Sequence, residues 1–149
     1  MATSRRFDVI TLRMVAEHIV DPTKTLAALS RFSKPRGRVV IYTVNRWSPL
    51  ALAAWLVPFR LHNPVKRVLW KTEPEDTFPV AYRLNTRATL SRRFADAGFR
   101  EALFTTLADC RVFFRFRGLR RLELGLWLAC QAARIPYPES CLLAVYERA

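Results

Sequence analysis

The sequence is poor in glycine and has no glycine-rich turn. Its 149 residues include four glycines, and no G-x-G pair occurs anywhere. Open α/β sheets use such a turn after a strand to bring the backbone close to a nucleotide-like ligand. These residues therefore do not predict a cradle of that kind. The glycines are Gly37, Gly98, Gly118 and Gly125.

Long apolar runs are also missing. The best candidate, residues 47–61, is interrupted by Pro49 and Pro58, and it is shorter than the roughly 20 residues that cross a bilayer. The first six residues, MATSRR, lead directly into strand-forming residues instead of an apolar secretory segment. We therefore expect a cytoplasmic protein, and peripheral contact with a membrane stays open.

Cysteine and histidine are too few and too scattered for a metal site. The three cysteines, Cys110, Cys130 and Cys141, are odd in number, widely spaced and set among apolar residues. This pattern favours buried, reduced thiols over a disulfide framework. We predict no metal site.

Acidic residues are scarce relative to basic ones. The chain has 12 Asp and Glu against 25 Lys and Arg, giving a net charge of +13. Such a charge suits phospholipid headgroups, acidic proteins or nucleic acid, although an arginine-biased genome would also produce it. Because helix-turn-helix, zinc-finger and aromatic-basic strand signatures are all absent from the sequence, nucleic acid is disfavoured.

Residues 7–45 form the most informative stretch. Phe7–Leu12 and Arg38–Val44 are apolar and rich in β-branched residues, as expected of strands buried on both faces. Between them Asp21 is a good N-cap and Pro22 suits the first helical position, so we predict a helix over residues 22–33.

A strand, a helix and a second strand of this length imply parallel strands joined by a right-handed crossover. Open parallel sheets bind ligands outside the carboxyl ends of their strands. The two ends here are residues 12–18 and 43–45, which places any ligand cleft beside them.

The order of these pieces resembles one family. FDVI on the first strand, EHI with DP after it, KP with GR before the next strand, and TVN at its end are similar to the fourth strand, following helix and fifth strand of class I S-adenosylmethionine-dependent methyltransferases that act on small molecules or lipids. YRLNT, AGFR and the terminal strand LLAV follow in the family's order. Arg36 departs from the pattern, because the family usually has glycine there.

The resemblance implies an α/β fold, namely the carboxyl-terminal half of a Rossmann-like sheet. Its parallel strands would be joined by a last, antiparallel strand inserted centrally beside the fifth. We expect residues 1–149 to form one partial domain, with helical insertions or a lid at residues 47–70 and 111–135. S-adenosylmethionine is the implied cofactor, although we expect this chain alone not to bind it, because the glycine turn is absent.

The resemblance also suggests site residues. Arg13, Met14 and Glu17 would contact the cofactor, and Asn45 would contact the substrate. His18 would accept a proton from a hydroxyl acceptor, since an imidazole side chain can take up a proton near physiological pH. Structural alternatives stay open: Glu17 anchors a loop, His18 bonds the backbone and Asn45 starts a turn.

Two functions follow from different classes. The first is a methyltransferase acting on a small-molecule or lipid-like acceptor, represented by its carboxyl-terminal half and inactive as an isolated chain. The second is a non-catalytic methyltransferase-like module that contacts a partner chain or an anionic membrane surface. The basic and apolar stretch from Arg111 to Ala133 suits a lid, a core helix or a membrane contact. We also expect self-association through the open edge of the first strand.

Overall fold

The computed structural model describes residues 5–49, 51–52, 80–108 and 117–149. Their complete elements are four strands, a short 3-10 turn and three helices, and the described residues 49 and 51–52 are also helical. In chain order these are β1 (Phe7–Arg13), the 3-10 turn Ala16–His18, α1 (Pro22–Phe32), β2 (Ser33–Val44), α2 (Arg87–Asp96), β3 (Phe99–Leu107), α3 (Arg117–Ala132) and β4 (Cys141–Arg148).

The strands form one sheet in the order β1-β2-β4-β3. β1 pairs with β2 in parallel, and β4 pairs antiparallel with both β2 and β3. The last strand of the chain thus lies between β2 and β3. The prediction of an α/β sheet with a central, antiparallel final strand is confirmed.

Helix α1 begins and ends where its sequence directs. The carboxylate of Asp21 accepts a hydrogen bond from the Lys24 backbone N–H at 3.1 Å, and Pro22 follows in the first turn. At the other end the Ser33 hydroxyl donates to the Leu29 carbonyl at 2.8 Å. The predicted cap is confirmed.

The predicted start of β2 at Arg38 is wrong, because the strand begins at Ser33. Phe7 pairs with Ser33 and Val9 with Arg38, so β2 bulges opposite a short piece of β1. Arg36 has φ +61° in this bulge. A Cβ on Gly37 would lie 2.8 Å from the Lys34 carbonyl oxygen, so only glycine fits this close approach.

One face of the sheet is covered by α1 and α2. Leu26 and Leu29 of α1 and Leu90 and Phe94 of α2 pack on alternate residues of the central strands. The ring of Phe94 stacks on Tyr146 with centroids 4.1 Å apart. The buried central-strand residues beneath the two helices are Val39, Ile41, Leu142, Ala144 and Tyr146.

The opposite face is open in the described part of the chain. Val9 is 56% exposed and Leu103 48%, and a groove of ≈ 440 Å³ runs across this face. The expectation that the strands are buried on both faces is therefore wrong for these residues, and Tyr42 is half-buried here. The groove is lined by Thr11, Leu12, Arg13, Val40, Tyr42, Leu107 and Leu143.

The helical insertions are described only in part. Residues 53–79 and 109–116, with most of the predicted 47–70 insertion, the acidic residues 73–76 and Cys110, lie outside the described residues. The predicted apolar helix is present as α3, which begins at Arg117. No helix among the described residues is long and apolar enough to cross a membrane.

Candidate active site at the carboxyl ends of the parallel strands

A buried polar network closes the carboxyl end of β2. Glu17, Thr43 and Asn85 are 5%, 0% and 0% exposed. The Thr43 hydroxyl donates to Glu17 Oε2 at 2.7 Å, and Asn85 Nδ2 donates to Thr43 Oγ1 at 3.0 Å. Because buried polar groups are costly unless they are hydrogen-bonded, this network fixes three separate segments against one another.

The backbone of Glu17 holds the segment that leads into α2. Its carbonyl oxygen accepts from the N–H groups of Ala81 at 2.7 Å and Tyr82 at 3.2 Å. Met14 and Tyr82 have φ angles of 51° and 49°, a region that non-glycine residues seldom adopt. Such strained positions cluster at functional sites, and both flank Glu17 here.

Asn45 organises the turn after β2. Its Nδ2 donates to the Glu139 carbonyl at 2.9 Å, and its Oδ1 accepts from the Trp47 N–H at 3.1 Å. The side chain is therefore engaged at both ends and only 6% of the residue is exposed. This is the turn-forming alternative that the sequence offered, while contact between Asn45 and substrate stays a prediction.

A cleft of ≈ 360 Å³ opens beside the network. Burial raises the pKa of the Tyr82 hydroxyl, and the nearby negative charge of Glu17 adds to the effect. Arg46 lies over the Trp47 ring at 5.8 Å. The lining combines one cation, two aromatic rings and aliphatic side chains: Arg46, Trp47, Ala51, Leu52, Ala81 and Tyr82.

The other predicted site residues are distributed around this edge. His18 is half-buried at the end of the 3-10 turn, and Met14 donates its backbone N–H to the Tyr42 carbonyl at 2.8 Å. Arg13 is exposed and lines the groove on the open face, whereas Thr43 is buried on the covered face. The structure thus brings Glu17, His18 and Asn45 to the carboxyl edge of the sheet. The Arg13 side chain lies on the open face, whereas the Thr43 side chain lies on the covered face. Their roles toward cofactor and substrate stay predictions.

A second cleft, of ≈ 400 Å³, lies at the same edge between α3 and the start of β4. The Tyr137 hydroxyl is 3.5 Å from Glu123 Oε1, and burial raises the Tyr137 pKa to about 12. Burial likewise raises the pKa of Glu123. No cluster suited to a metal ion occurs among the described residues. The cleft is lined by Ala108, Arg120, Glu123, Leu124, Trp127, Tyr137, Glu139 and Ser140.

Sequence reasoning missed the partnership of Thr43 with Asn85. The neighbouring Thr86 caps α2, its hydroxyl accepting from the Thr89 N–H at 3.2 Å. Asn85 Nδ2 instead reaches Thr43 and the Val44 carbonyl, the latter at 2.8 Å. A threonine at the end of an apolar strand was the available signal, but nothing local identified its partner.

The family comparison agrees with this arrangement. A family model described as "Methyltransferase domain" matches residues 2–101. The chain belongs to this family. The matched region includes β1, β2 and the Glu17–Thr43–Asn85 network.

Individual relatives match either over a short stretch of the chain or over nearly all of it at low sequence identity. The ubiquinone biosynthesis O-methyltransferase of Aeromonas salmonicida (strain A449) is 41% identical over 44 residues, which are 30% of this chain and 18% of that protein. A methyltransferase in complex with the Haloferax volcanii Trm112 methyltransferase activator superposes with a TM-score of 0.55 at 16% identity, covering 97% of this chain and 54% of that one. Geranyl diphosphate C-methyltransferase from Streptomyces coelicolor A3(2), solved with Mg²⁺, geranyl diphosphate and S-adenosyl-L-homocysteine, gives 0.53 at 14% identity, covering 99% and 50%.

The methyltransferase fold is therefore shared, but this chain spans about half the length of these solved methyltransferases. The stretch that matches the curated relative is under a fifth of that protein. Activity, substrate and partners of those proteins do not transfer on this likeness alone.

The S-adenosylmethionine that the family implies does not find a complete cradle in this chain. Gly37 precedes the paired core of β2, and Gly98, with φ +81°, precedes β3. Both lie toward the amino ends of β2 and β3, which run in the same direction, so they are at the edge of the sheet opposite the site. Gly118 and Gly125 are on α3, with nothing within 4 Å of an added Cβ. The residues present form a wall at the carboxyl edge and do not fit the whole cofactor.

Proposed function

We propose that this chain is the acceptor-side half of an S-adenosylmethionine-dependent methyltransferase that acts on a small-molecule or lipid-like acceptor. The main support is the buried Glu17–Thr43–Asn85 network beside the cleft at the carboxyl ends of β1 and β2. Ligands of open α/β sheets bind at this edge. The family match over residues 2–101 supplies the reaction class.

In this proposal the network positions the neighbouring segments and does not itself transfer a proton. The Thr43 hydroxyl already donates to Glu17, so the network holds the 13–18 segment and the 80–85 segment in one geometry. His18, at the end of that turn, is the residue we assign to accept the proton of an acceptor hydroxyl. Methyl transfer depends mainly on alignment of the reacting groups, which suits a rigid wall of this kind.

The lining of the cleft indicates the acceptor class. Trp47, Tyr82, Ala51 and Leu52 offer aromatic and aliphatic surface, and Arg46 adds a positive charge. An apolar, partly anionic or hydroxylated molecule fits this chemistry. The names of two similar proteins refer to ubiquinone biosynthesis and to geranyl diphosphate, which are compatible with an acceptor of this class.

Binding measurements test the proposal with the chain itself. Isothermal titration with a catechol carrying a short alkyl chain should show binding, and titration with S-adenosylmethionine should not. Trp47→Ala should weaken catechol binding at least about fivefold, because a ring contact is lost with its buried area. Trp127→Ala, which alters only the second cleft, is the matched control. Micromolar affinity for the cofactor, or no binding of the catechol, would contradict the acceptor-side assignment.

A fusion tests the role of His18. The amino-terminal part of the Aeromonas salmonicida enzyme joined ahead of Phe7 should supply the missing cofactor cradle. In an active fusion, His18→Gln should lower kcat about a hundredfold with KM nearly unchanged, since a general base acts in the transition state. An unchanged kcat would remove His18 from the mechanism.

The non-catalytic module is the second candidate. It is favoured by the incomplete cradle and by the fold similarity to a methyltransferase found in complex with an activator protein. Catechol binding at the cleft lined by Trp47 and Tyr82 distinguishes the two candidate functions, because a non-catalytic module is not expected to bind an acceptor there.

A further inference from the structure

Helix α3 exposes far more apolar surface than its place in the fold requires. None of its residues is buried, and Leu122 is 72% exposed, Leu124 55%, Leu126 49% and Leu128 53%. An exposed apolar patch of this kind marks an interaction surface. The covered core lies elsewhere, beneath α1 and α2.

The charges of α3 are segregated. Arg117, Arg120 and Arg121 are exposed in its first turns, and Arg134 is exposed just past its end. Glu123, the one acidic residue of the helix, is half-buried and contacts Tyr137 at the second cleft. Every exposed charge on the helix is therefore positive.

The arginines stand where they weaken the helix in water. The first turn of α3 contains no acidic residue, and cations at a helix N-terminus oppose the helix dipole. An anionic surface bound there reverses this effect. The same arginines extend aliphatic stems along apolar surroundings while their guanidinium groups bind phosphate.

The exposed leucines of α3 are distributed over two sides of the helix. Leu122 and Leu126 lie one turn apart, as do Leu124 and Leu128. Since successive residues turn by about 100°, these two pairs lie on nearly opposite sides of the helix. The occupant is instead indicated by charge, because the exposed arginines at the amino end of α3 match the phosphates of an anionic lipid surface while the neighbouring leucines enter the headgroup boundary.

We propose that α3 docks this protein peripherally onto an anionic phospholipid surface, with its leucines in the headgroup boundary and its arginines on lipid phosphates. The second cleft lies on the Glu123 and Trp127 side of the same helix, and Glu139 of that cleft accepts the hydrogen bond from Asn45. Docking therefore brings the candidate active-site edge close to the lipid. The docking does not depend on the proposed methyl transfer.

Vesicle flotation of the 149-residue chain tests the docking. The chain should float with vesicles of phosphatidylcholine mixed with phosphatidylglycerol, bind much less to phosphatidylcholine alone, and lose affinity as salt rises. Arg117→Gln with Arg121→Gln should weaken binding about thirtyfold, because each basic residue near such a surface contributes about fivefold. The control is Arg31→Gln with Arg92→Gln, which removes the same charge from α1 and α2.

A second pair tests the leucines. Leu122→Gln with Leu126→Gln should weaken binding at least about tenfold through lost apolar burial. The control, Val20→Gln with Leu103→Gln, alters residues of similar exposure, 67% and 48%. Absence of binding to anionic vesicles at low salt overturns the proposal. Equal losses in the variants and their controls also overturn it, as does a leucine variant that abolishes self-association but leaves vesicle binding intact.

Discussion

The two faces of the sheet have the same strands but different surroundings. On the covered face Val39, Ile41 and Ala144 are each 0% exposed beneath α1 and α2. On the open face Val40, Tyr42 and Leu143 line a groove, and Val9 of β1 is 56% exposed. The comparison shows that the hydrophobicity of a strand sets its capacity for burial on two faces, whereas the available helices decide how many faces are buried.

The largest effect should come from the covered face. Phe94 is 0% exposed, stacks on Tyr146 and meets Phe99 edge-on at 5.4 Å. Phe94→Ala should lower the free energy of unfolding by about 3–5 kcal/mol, measured by urea denaturation. Leu103→Ala on the open face should cost less than about 1 kcal/mol. Equal costs would show that the two faces do not differ as described.

The polar network is the next element to remove. Thr43→Val deletes the hydroxyl that joins Glu17 to Asn85, leaving buried groups without a partner at a cost of about 2 kcal/mol. The same change at Thr105, half-buried on β3, is the control and should be nearly neutral. Denaturation midpoints check the pair, and a neutral Thr43→Val would remove the network from any positioning role.

The free edge of β1 should promote self-association of the chain. β1 pairs only with β2 among the described strands, so its other edge offers backbone groups for pairing. Val9→Lys should weaken self-association about tenfold by placing a charge beside this edge, as measured by sedimentation velocity. Val20→Lys, at a 67% exposed residue outside the strands, controls for added charge. A wild-type chain that sediments as a clean monomer at micromolar concentration would refute the prediction.

The smallest effect concerns an ion pair beside α2. Burial raises the pKa of Glu101, but hydrogen bonds from Arg87, Ser91 and Tyr146 outweigh it and leave the pKa below its usual value. Because the folded-state pKa is lowered, this stabilisation is present at neutral pH and is lost as pH falls through the folded-state value.

Glu101→Gln should therefore lower the melting temperature slightly at neutral pH, and this effect should shrink as pH is lowered from 7 toward 3, since a partly exposed ion pair contributes less than about 1 kcal/mol. Melting curves of both proteins across this range provide the check. A difference that grows toward low pH would contradict the sign.

Local sequence signals identified most elements but not their extent. Asp21 and Pro22 predicted the start of α1, as observed. The bulge of β2 was missed because the predicted helix extended to residue 33, whereas pairing with Phe7 draws Ser33 into the sheet. That pairing is a tertiary interaction and leaves no local pattern.

The candidate site likewise combines residues that the sequence predicted with one that it did not. The carboxyl ends of two parallel strands followed from the strand-helix-strand pattern, which placed Glu17, His18 and Asn45 at one edge. Asn85, 42 positions from Thr43, joined them only through the fold.

By itself the sequence determined the crossover unit, the family and the absence of a glycine cradle, since each depends on residue type and near spacing. Tertiary structure decided which face of the sheet is covered, which polar groups meet across the sheet edge, and that α3 exposes its leucines. Those outcomes depend on which segments pack together, and hydrophobic pattern alone does not specify the partner.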